Sequence, residues 1–179
     1  QKSVSIVPSL TQVSVKKMSP ADFIPIVENT NLIHPMTHWV LEQSMRQCRL
    51  WHDQGLEVSV AVNLSARNLM DDTMARRVEK LLEKFQLPPW ALELEITESS
   101  IMSDPARAMK VLEWLHELGV SMSIDDFGTG YSSLEYLKRL RVQTLKIDFS
   151  FVRHMLESEQ DEIIVNSIIH LAHNLGLSV

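Results

Sequence analysis

The sequence lacks the features that mark secreted, membrane-spanning or broadly nucleic-acid-binding proteins. Its one cysteine, Cys48, excludes an intramolecular disulfide and favours a reducing compartment. No stretch resembles a signal peptide, and no apolar run approaches the length that spans a bilayer. A net charge of −6 with scattered lysines and arginines argues against DNA binding, but not against a small phosphate ligand held through metal.

What is present is typical of a single globular domain with an alternating α/β pattern. The 179 residues are 45% hydrophobic and 22% charged, which suffices for one substantial core. After a helix at 35–53, with Trp39 and Leu50 among its core-facing residues, strands alternate with helices. Such alternation predicts parallel strands joined by right-handed crossovers. The predicted strands cover 57–63, 91–97, 120–125 and 143–147, a further strand opens at 177–179, and the helices lie near 73–85, 105–118, 133 onward, 150–156 and 159–175.

Each predicted strand has one apolar face and one small or polar face. In the segment 92–97, for example, two leucines and an isoleucine alternate with Glu93, Glu95 and Thr97. Parallel strands buried on both faces usually read as continuous apolar runs instead. We therefore predict an α/β fold of the TIM-like barrel type, with a polar interior that opens onto a site at the carboxyl ends of the strands.

The polar faces carry a set of residues suited to metal chemistry. Asn63, Glu95, Asp125 and Lys146 lie at or near the ends of four successive strands, and Asp126 follows Asp125 directly. Adjacent carboxylates repel each other unless a cation or a proton lies between them. Oxygen-rich sites bind Mg²⁺ or Mn²⁺, and two such ions about 3.5–4 Å apart are a recurring device for attack on phosphodiesters. The alternative is that these polar side chains satisfy one another, for example through a Lys146 salt bridge to Glu95 or Asp125.

Five ordered motifs carry a resemblance to a known family. Any one of them is weak, but the five together, at this spacing, are highly specific. The motifs are SPADFIP at 19–25, VNLS at 62–65, LELEITE at 92–98, DDFGTGYSSL at 125–134 and LKID at 145–148. They resemble the EAL family of bacterial cyclic di-GMP phosphodiesterase domains over residue 19 to the C-terminus.

The resemblance implies a TIM-like barrel that hydrolyses cyclic di-GMP to linear pGpG with Mg²⁺ or Mn²⁺. It implies metal ligands at Asn63, Glu95, Asp125 and Asp126, and a lysine, Lys146, that orients the attacking water. It further implies that Glu98 braces the loop after Asp126, that Ser65 and Asp148 line the site, and that the loop takes part in dimer contacts. The loop residues are Phe127, Gly128, Thr129, Gly130, Tyr131, Ser132 and Ser133.

The chain departs from the family pattern at both ends. Counting back without gaps puts Ser5-Ile6-Val7 on the Glu-Ala-Leu motif of the first strand and Ser9 on its phosphate-contacting arginine. The later Glu-Gly-Val-Glu motif, which holds another catalytic glutamate, would begin just past Val179. We therefore expect residues 1–179 to form a single, incomplete EAL-type domain, in which 1–18 match poorly and 19–179 match the barrel.

Two functions remain open at this point. The first is a two-metal cyclic di-GMP phosphodiesterase, and the second is a degenerate EAL domain that acts as a cyclic di-GMP receptor or docks a protein without hydrolysis. A third, another metal-dependent barrel enzyme, leaves the ordered motifs unexplained. For the first two functions, the resemblance implies a homodimer and a parent chain that also carries sensory or GGDEF domains. It implies a location in the bacterial cytoplasm, either as a soluble protein or as the cytoplasmic domain of a membrane-anchored one.

Overall fold

The computed structural model describes residues 19–130 and 134–179, and it shows the alternating α/β architecture expected from the sequence. Ser5 to Val7 and Ser9, which count onto the first-strand motif, lie outside the described residues. The elements are α1 Pro20–Glu28, α2 Ile33–Asp53, β1 Val60–Leu64, α3 Ala66–Leu69, α4 Met74–Phe85, a 3₁₀ turn Pro89–Ala91, β2 Leu92–Thr97, α5 Glu98–Met102, α6 Pro105–Glu117, β3 Ser121–Phe127, α7 Leu134–Arg139, β4 Thr144–Ile147, α8 Phe149–His154 and α9 Glu159–Asn174.

Helix α6 begins and ends at residues that cap helices. Asp104 caps α6 by accepting a hydrogen bond of 3.2 Å from the backbone N–H of Arg107, and Pro105 occupies the first helical position. Gly119 follows α6 at φ +84°, a conformation that a glycine adopts without strain. These boundaries confirm the predicted helix at 105–118 to within one residue.

The four strands form one parallel sheet in the order β1-β2-β3-β4. Each strand pairs with the next one along the chain, and helices lie in the connections. Consecutive parallel strands with helical crossovers are the repeating unit of a (β/α) barrel. The described residues thus form an α/β fold with a parallel sheet, as expected for an incomplete TIM-like barrel.

The apolar faces of the strands form the core beneath the helices. Leu92, Leu94 and Ile96 of β2 are fully buried, whereas Glu93 and Glu95 between them are half-buried. Burying a leucine or isoleucine side chain contributes roughly 1.5–3 kcal/mol, so this alternation determines which face the helices cover. The predicted division of each strand into an apolar and a polar face is confirmed for β2. The helices contribute Leu41, Met45, Val78, Leu81, Leu82, Ala108, Val111, Leu112 and Leu115 to the same core.

Some sequence-based boundaries and orientations are wrong. The first strand begins at Val60 rather than at residue 57, and the predicted strand at 177–179 is reduced to an isolated bridge between Thr144 and Ser178. Trp39 is 62% exposed and Leu50 is 50% exposed. Helix α2 has enough apolar residues for two stripes, and the packed stripe is the one through Leu41, Met45 and Cys48. Among the helices of the described residues, none is both long and apolar enough to cross a membrane.

Candidate active site

The polar face of the sheet brings together the predicted residues of four strands. Asn63 on β1 is exposed and lies opposite Glu95 on β2, because the two strands pair in that register. Thr97 lies opposite Asp125 on β3, so Asp125 is two positions nearer the carboxyl edge than Glu95. The carboxyl edge of parallel strands is where ligands bind in barrels of this kind.

A β-bulge in β3 positions the adjacent carboxylates. Ile124 pairs with Leu145, but Phe127 pairs with Ile147, so two residues of β3 lie across from the single residue Lys146. Those two residues are Asp125 and Asp126. The strand therefore continues through Phe127, two residues beyond the predicted end.

The bulge explains how Asp126 avoids the helix-covered face. In a regular strand, Asp126 would point to the face opposite Asp125. Here Asp126 has a φ of +53° and is exposed, and the buried Phe127 takes the next apolar position. Aspartate tolerates the left-handed region better than most residues, since its short side chain bonds locally. The backbone N–H of Asp126 donates to Oδ1 of Asp125 at 3.1 Å.

Lys146 is held as an ammonium ion by carboxylates. Its Nζ forms an ion pair with Oε1 of Glu95 and lies 3.6 Å from Oε1 of Glu93. Burial lowers the pKa of Lys146, but the hydrogen bond and charge of Glu95, with the charges of Glu93 and Asp125, outweigh it and raise the pKa above 10.5. Lys146 is therefore positively charged at neutral pH.

Asp126 is surrounded by other carboxylates. Burial, the charges of Asp125 and Asp148, a hydrogen bond with Asp148 and the charge of Glu95 raise its pKa above the ordinary 3.8. The pKa of Asp148 is lowered instead, because the hydroxyl and the backbone N–H of Ser150 both hydrogen-bond its carboxylate. A group of carboxylates that resists full ionisation is the environment that a divalent cation stabilises.

The donor set fits a hard metal ion, although the described residues do not form a complete coordination shell. Three carboxylates and the amide of Asn63 are oxygen donors of the kind Mg²⁺ and Mn²⁺ prefer. Within 19–130 and 134–179, no three side chains among histidine, cysteine, aspartate and glutamate are grouped closely enough to hold a metal. Glu95 is engaged by Lys146 in this arrangement. The assignment of Asn63, Glu95, Asp125 and Asp126 as metal ligands therefore stays a prediction.

Glu98 extends beneath the loop that follows the bulge. Its side chain is buried, and neither carboxylate oxygen has a hydrogen-bond partner among the described residues. A Cβ atom at Gly130 would lie 3.3 Å from Oε2 of Glu98, so this carboxylate and the loop backbone are in close contact. Thr129 closes the loop by donating its hydroxyl to the carbonyl of Asp126 at 2.9 Å. Tyr131, Ser132 and Ser133 lie outside the described residues.

Gly128 is required by its surroundings as well as by its conformation. It has a φ of +101°, and a Cβ there would lie 3.0 Å from Cε2 of Phe151 and 3.3 Å from Cδ1 of Ile168. A side chain at this position would both strain the backbone and press on helices α8 and α9. The loop backbone at Gly128 is thus packed closely against these two helices.

The two predicted site-lining residues hold helix starts. The hydroxyl of Ser65 donates to Oδ1 of Asn68 at 2.7 Å, and that oxygen also accepts the hydroxyl of Thr37 at 3.1 Å. Ser65 nevertheless lines, with Asn63 and Thr97, a cavity of about 460 Å³ beside β1. Asp148 caps α8 through the backbone N–H of Ser150 at 2.8 Å. The structure therefore gives both residues a capping role, and their contact with a ligand stays a prediction.

Sequence reasoning missed two residues next to this site. The hydroxyl of Ser123 donates to Oε1 of Glu93 at 2.6 Å, and Glu93 faces Lys146. The alternation of β2 had already put Glu93 on the polar face with Glu95. Nothing in the sequence, however, linked Glu93 to Lys146 on a strand that is not its neighbour.

Comparison with known proteins identifies relatives over most of the chain. A family model described as the EAL domain matches residues 11–179. The chain is 43% identical over 160 residues to the signaling protein YkoW of Bacillus subtilis. The aligned segment covers 89% of this chain and 20% of that protein. It is 42% identical over 163 residues to the bifunctional diguanylate cyclase/cyclic di-GMP phosphodiesterase MucR of Pseudomonas aeruginosa. That alignment covers 90% of this chain and 24% of MucR.

A solved structure shares the fold. The structure described as the PaMucR phosphodiesterase in complex with c-di-GMP superposes with a TM-score of 0.86 at 41% identity, covering 93% of this chain and 68% of that one. The chain spans a quarter or less of the length of the two curated relatives named above.

Proposed function

The chain belongs to the EAL domain family, and we propose that it acts as a phosphodiesterase domain that hydrolyses cyclic di-GMP to linear pGpG with two divalent ions, Mg²⁺ or Mn²⁺. The observation that carries this proposal is the bulge that sets both Asp125 and Asp126 across from Lys146 at the carboxyl edge of the sheet. The names of MucR and of its solved complex with c-di-GMP support the choice of substrate.

The metal ions would be held by Asn63, Glu95, Asp125 and Asp126. Bound there, they would polarise the attacking water and neutralise charge on the phosphate. The crowding of Asp126 by Asp125, Asp148 and Glu95 supports this assignment, because a cation would relieve that repulsion.

Lys146 would orient the attacking water and bind the phosphate of cyclic di-GMP. Its ammonium group has three N–H donors, and carboxylates engage it from one side. A donor left for the ligand could bind the attacking oxygen by a charge-assisted hydrogen bond. The product pGpG keeps its 5′-phosphate, so the bond that breaks is the one between phosphorus and the 3′-oxygen.

Glu98 and the loop 127–133 would connect the site to a second copy of the chain. Close contact between Glu98 and Gly130 supports a bracing role, because movement of that carboxylate would shift the loop backbone next to Asp126. We propose a homodimer in which the loop contributes to the contact. We also propose that residues 1–179 belong to a single EAL-type domain of a longer cytoplasmic chain with sensory or GGDEF domains.

A second function is favoured by one observation. The family match begins at residue 11, and the residues that count onto the first-strand motif are Ser5, Ile6 and Val7. A serine cannot supply the charge of a metal-binding glutamate. This departure favours a degenerate domain that binds cyclic di-GMP, or a partner protein, without hydrolysis.

One experiment separates these functions. The purified protein is incubated with cyclic di-GMP and Mn²⁺, pGpG is measured by chromatography, and ligand binding is measured by calorimetry in parallel. Production of pGpG that stops on addition of a chelator supports the enzyme. Binding of cyclic di-GMP with no pGpG, with or without metal, supports the receptor, and the absence of any cyclic di-GMP binding contradicts both the enzyme and the receptor.

A further inference from the structure

Ser123 is a buried polar residue on the site-facing side of the sheet. It has no exposed surface, and its hydroxyl donates to Oε1 of Glu93 at 2.6 Å. A buried hydroxyl needs a hydrogen-bond partner, since leaving one unpaired destabilises the fold. The short side chain of Ser123 also leaves space above β3 for longer side chains from the strands on either side.

Lys146 uses that space to reach two carboxylates of β2. Its Nζ forms an ion pair with Glu95 and lies 3.6 Å from Oε1 of Glu93. Glu93 and Glu95 are two residues apart, so they lie on the same face of the strand. Oε1 of Glu93 therefore faces the ammonium of Lys146 and the hydroxyl of Ser123 together.

We propose that Glu93 is a positioning residue for Lys146, and that Ser123 fixes the side chain of Glu93 for this task. The inference rests on the proposed function, in which Lys146 orients the attacking water. Glu95 is also a candidate metal ligand, and a carboxylate that binds a cation shares its charge with that cation. Glu93 lies two residues further from the carboxyl edge than Glu95 and is not among the proposed metal ligands. It therefore supplies Lys146 with an anion that no metal ion shares.

The neighbouring Ser121 provides a matched control. It lies on the same face of β3, and its Cα is the register partner of Glu93. The hydroxyl that reaches Glu93 is nevertheless that of Ser123. Ser121→Ala and Ser123→Ala thus remove the same group from the same strand, but only the second breaks the contact.

Steady-state kinetics with cyclic di-GMP test the proposal. We expect Glu93→Ala and Ser123→Ala to lower kcat by about 10–100-fold, the usual effect of losing a supporting partner at such a site, with KM nearly unchanged. Glu93→Gln keeps an acceptor for Ser123 without the charge, so its kcat should be intermediate. Ser121→Ala should stay within about twofold of the wild type.

Crystal structures of the wild type, Glu93→Gln and Glu93→Ala give a readout that needs no turnover. We expect Nζ of Lys146 to shift by about 1 Å or more in Glu93→Ala, a displacement large enough to impair catalysis. Circular dichroism identifies a variant that fails to fold, in which case Glu93→Gln decides the result.

The outcomes separate this proposal from the proposed function. An unmoved Lys146 in the Glu93 variants would overturn the positioning role, as would a raised KM with unchanged kcat. Wild-type protein without hydrolysis would overturn the enzyme assignment, and the position of Lys146 in the variant structures would still decide whether Glu93 holds it.

Discussion

Lys146 on β4 forms an ion pair with Glu95 on β2, although β3 lies between the two strands. The pair spans the sheet because the residue of β3 that lies opposite Glu95 is the small Ser123. A longer side chain there would separate the two charges. This cross-sheet pair holds the ammonium of Lys146 near the carboxylates of the bulge.

Replacing Lys146 with alanine should remove turnover while sparing most ligand binding. We expect kcat to fall by at least about 10²–10³-fold, because a charged donor near the reacting phosphate acts mainly in the transition state. Chromatography of pGpG and calorimetry with cyclic di-GMP measure the two effects separately. Lys138→Ala, at an exposed position on α7, is the control. Hydrolysis retained by Lys146→Ala would refute the assigned role.

Neutralising Asp126 should weaken metal binding without weakening the fold. Asparagine tolerates the positive φ of this position, so Asp126→Asn keeps the bulge. We expect the affinity for Mn²⁺ in calorimetry to fall by more than about tenfold, because ligand charge sets affinity at oxygen sites. Without metal, the free energy of unfolding should be unchanged or up to about 1 kcal/mol higher, since repulsion by Asp125 and Asp148 is relieved.

The matched control for Asp126→Asn is Asp53→Asn. Asp53 is exposed at the end of α2, ahead of β1 and away from the carboxyl edge. The Asp53→Asn variant should bind Mn²⁺ with the same affinity as the wild type. Equal affinities for the two variants would remove Asp126 from the ligand set.

Alanine at Gly128 should destabilise the protein more than alanine at Gly55. Both glycines have positive φ values, +101° and +81°. A Cβ at Gly55 meets nothing within 4 Å, whereas one at Gly128 meets Phe151 at 3.0 Å. We expect losses in the free energy of unfolding of about 2–4 kcal/mol for Gly128→Ala and about 1 kcal/mol for Gly55→Ala, measured by urea denaturation. Similar losses would show that Gly128 does not pack on α8 as described.

The charge of Asp71 should stabilise the protein in a pH-dependent way. Burial raises its pKa, but hydrogen bonds from Thr73 and the charges of Arg77 and His34 outweigh this and bring the pKa below 3.8. A lowered pKa contributes stability above the unfolded value and loses it as the pH falls through the folded value. We expect Asp71→Asn to cost about 0.5–1 kcal/mol at pH 7 and progressively less below about pH 4.

Urea denaturation at several pH values measures the Asp71 effect. Asp72→Asn is the control, because Asp72 is exposed and lies 3.7 Å from its partner Arg107. That variant should stay within about 0.5 kcal/mol of the wild type throughout. A loss for Asp71→Asn that does not change with pH would contradict the charge-based explanation.

Alternation along the strands was enough to predict the fold class and one face of the site. Asn63 and Glu95 each stand between two buried apolar neighbours, and Asp125 follows the buried Ile124, so their common face follows from the sequence. Where two patterns competed, the sequence misled. Helix α2 offers more apolar residues than one stripe can use, and Trp39 was assigned to the core although it is largely exposed.

Other features of the site depend on contacts between segments that are distant in sequence. Glu98 reads as a helix-start residue, yet it is buried beneath a loop that begins about 30 residues later. Its burial depends on how α5 and the loop pack together. No local pattern near Glu98 reports that packing.

The sequence by itself determined the strand-helix order, the faces of the strands, and the five motifs that identify the family. These are local properties, because the pleat alternates side chains and caps act within a single turn. Only the tertiary structure decided that Asp125 and Asp126 oppose the single Lys146, and that Lys146 reaches past Ser123 to Glu95 and Glu93. A register shift and a cross-sheet contact depend on neighbouring strands, which a local reading of one strand cannot supply.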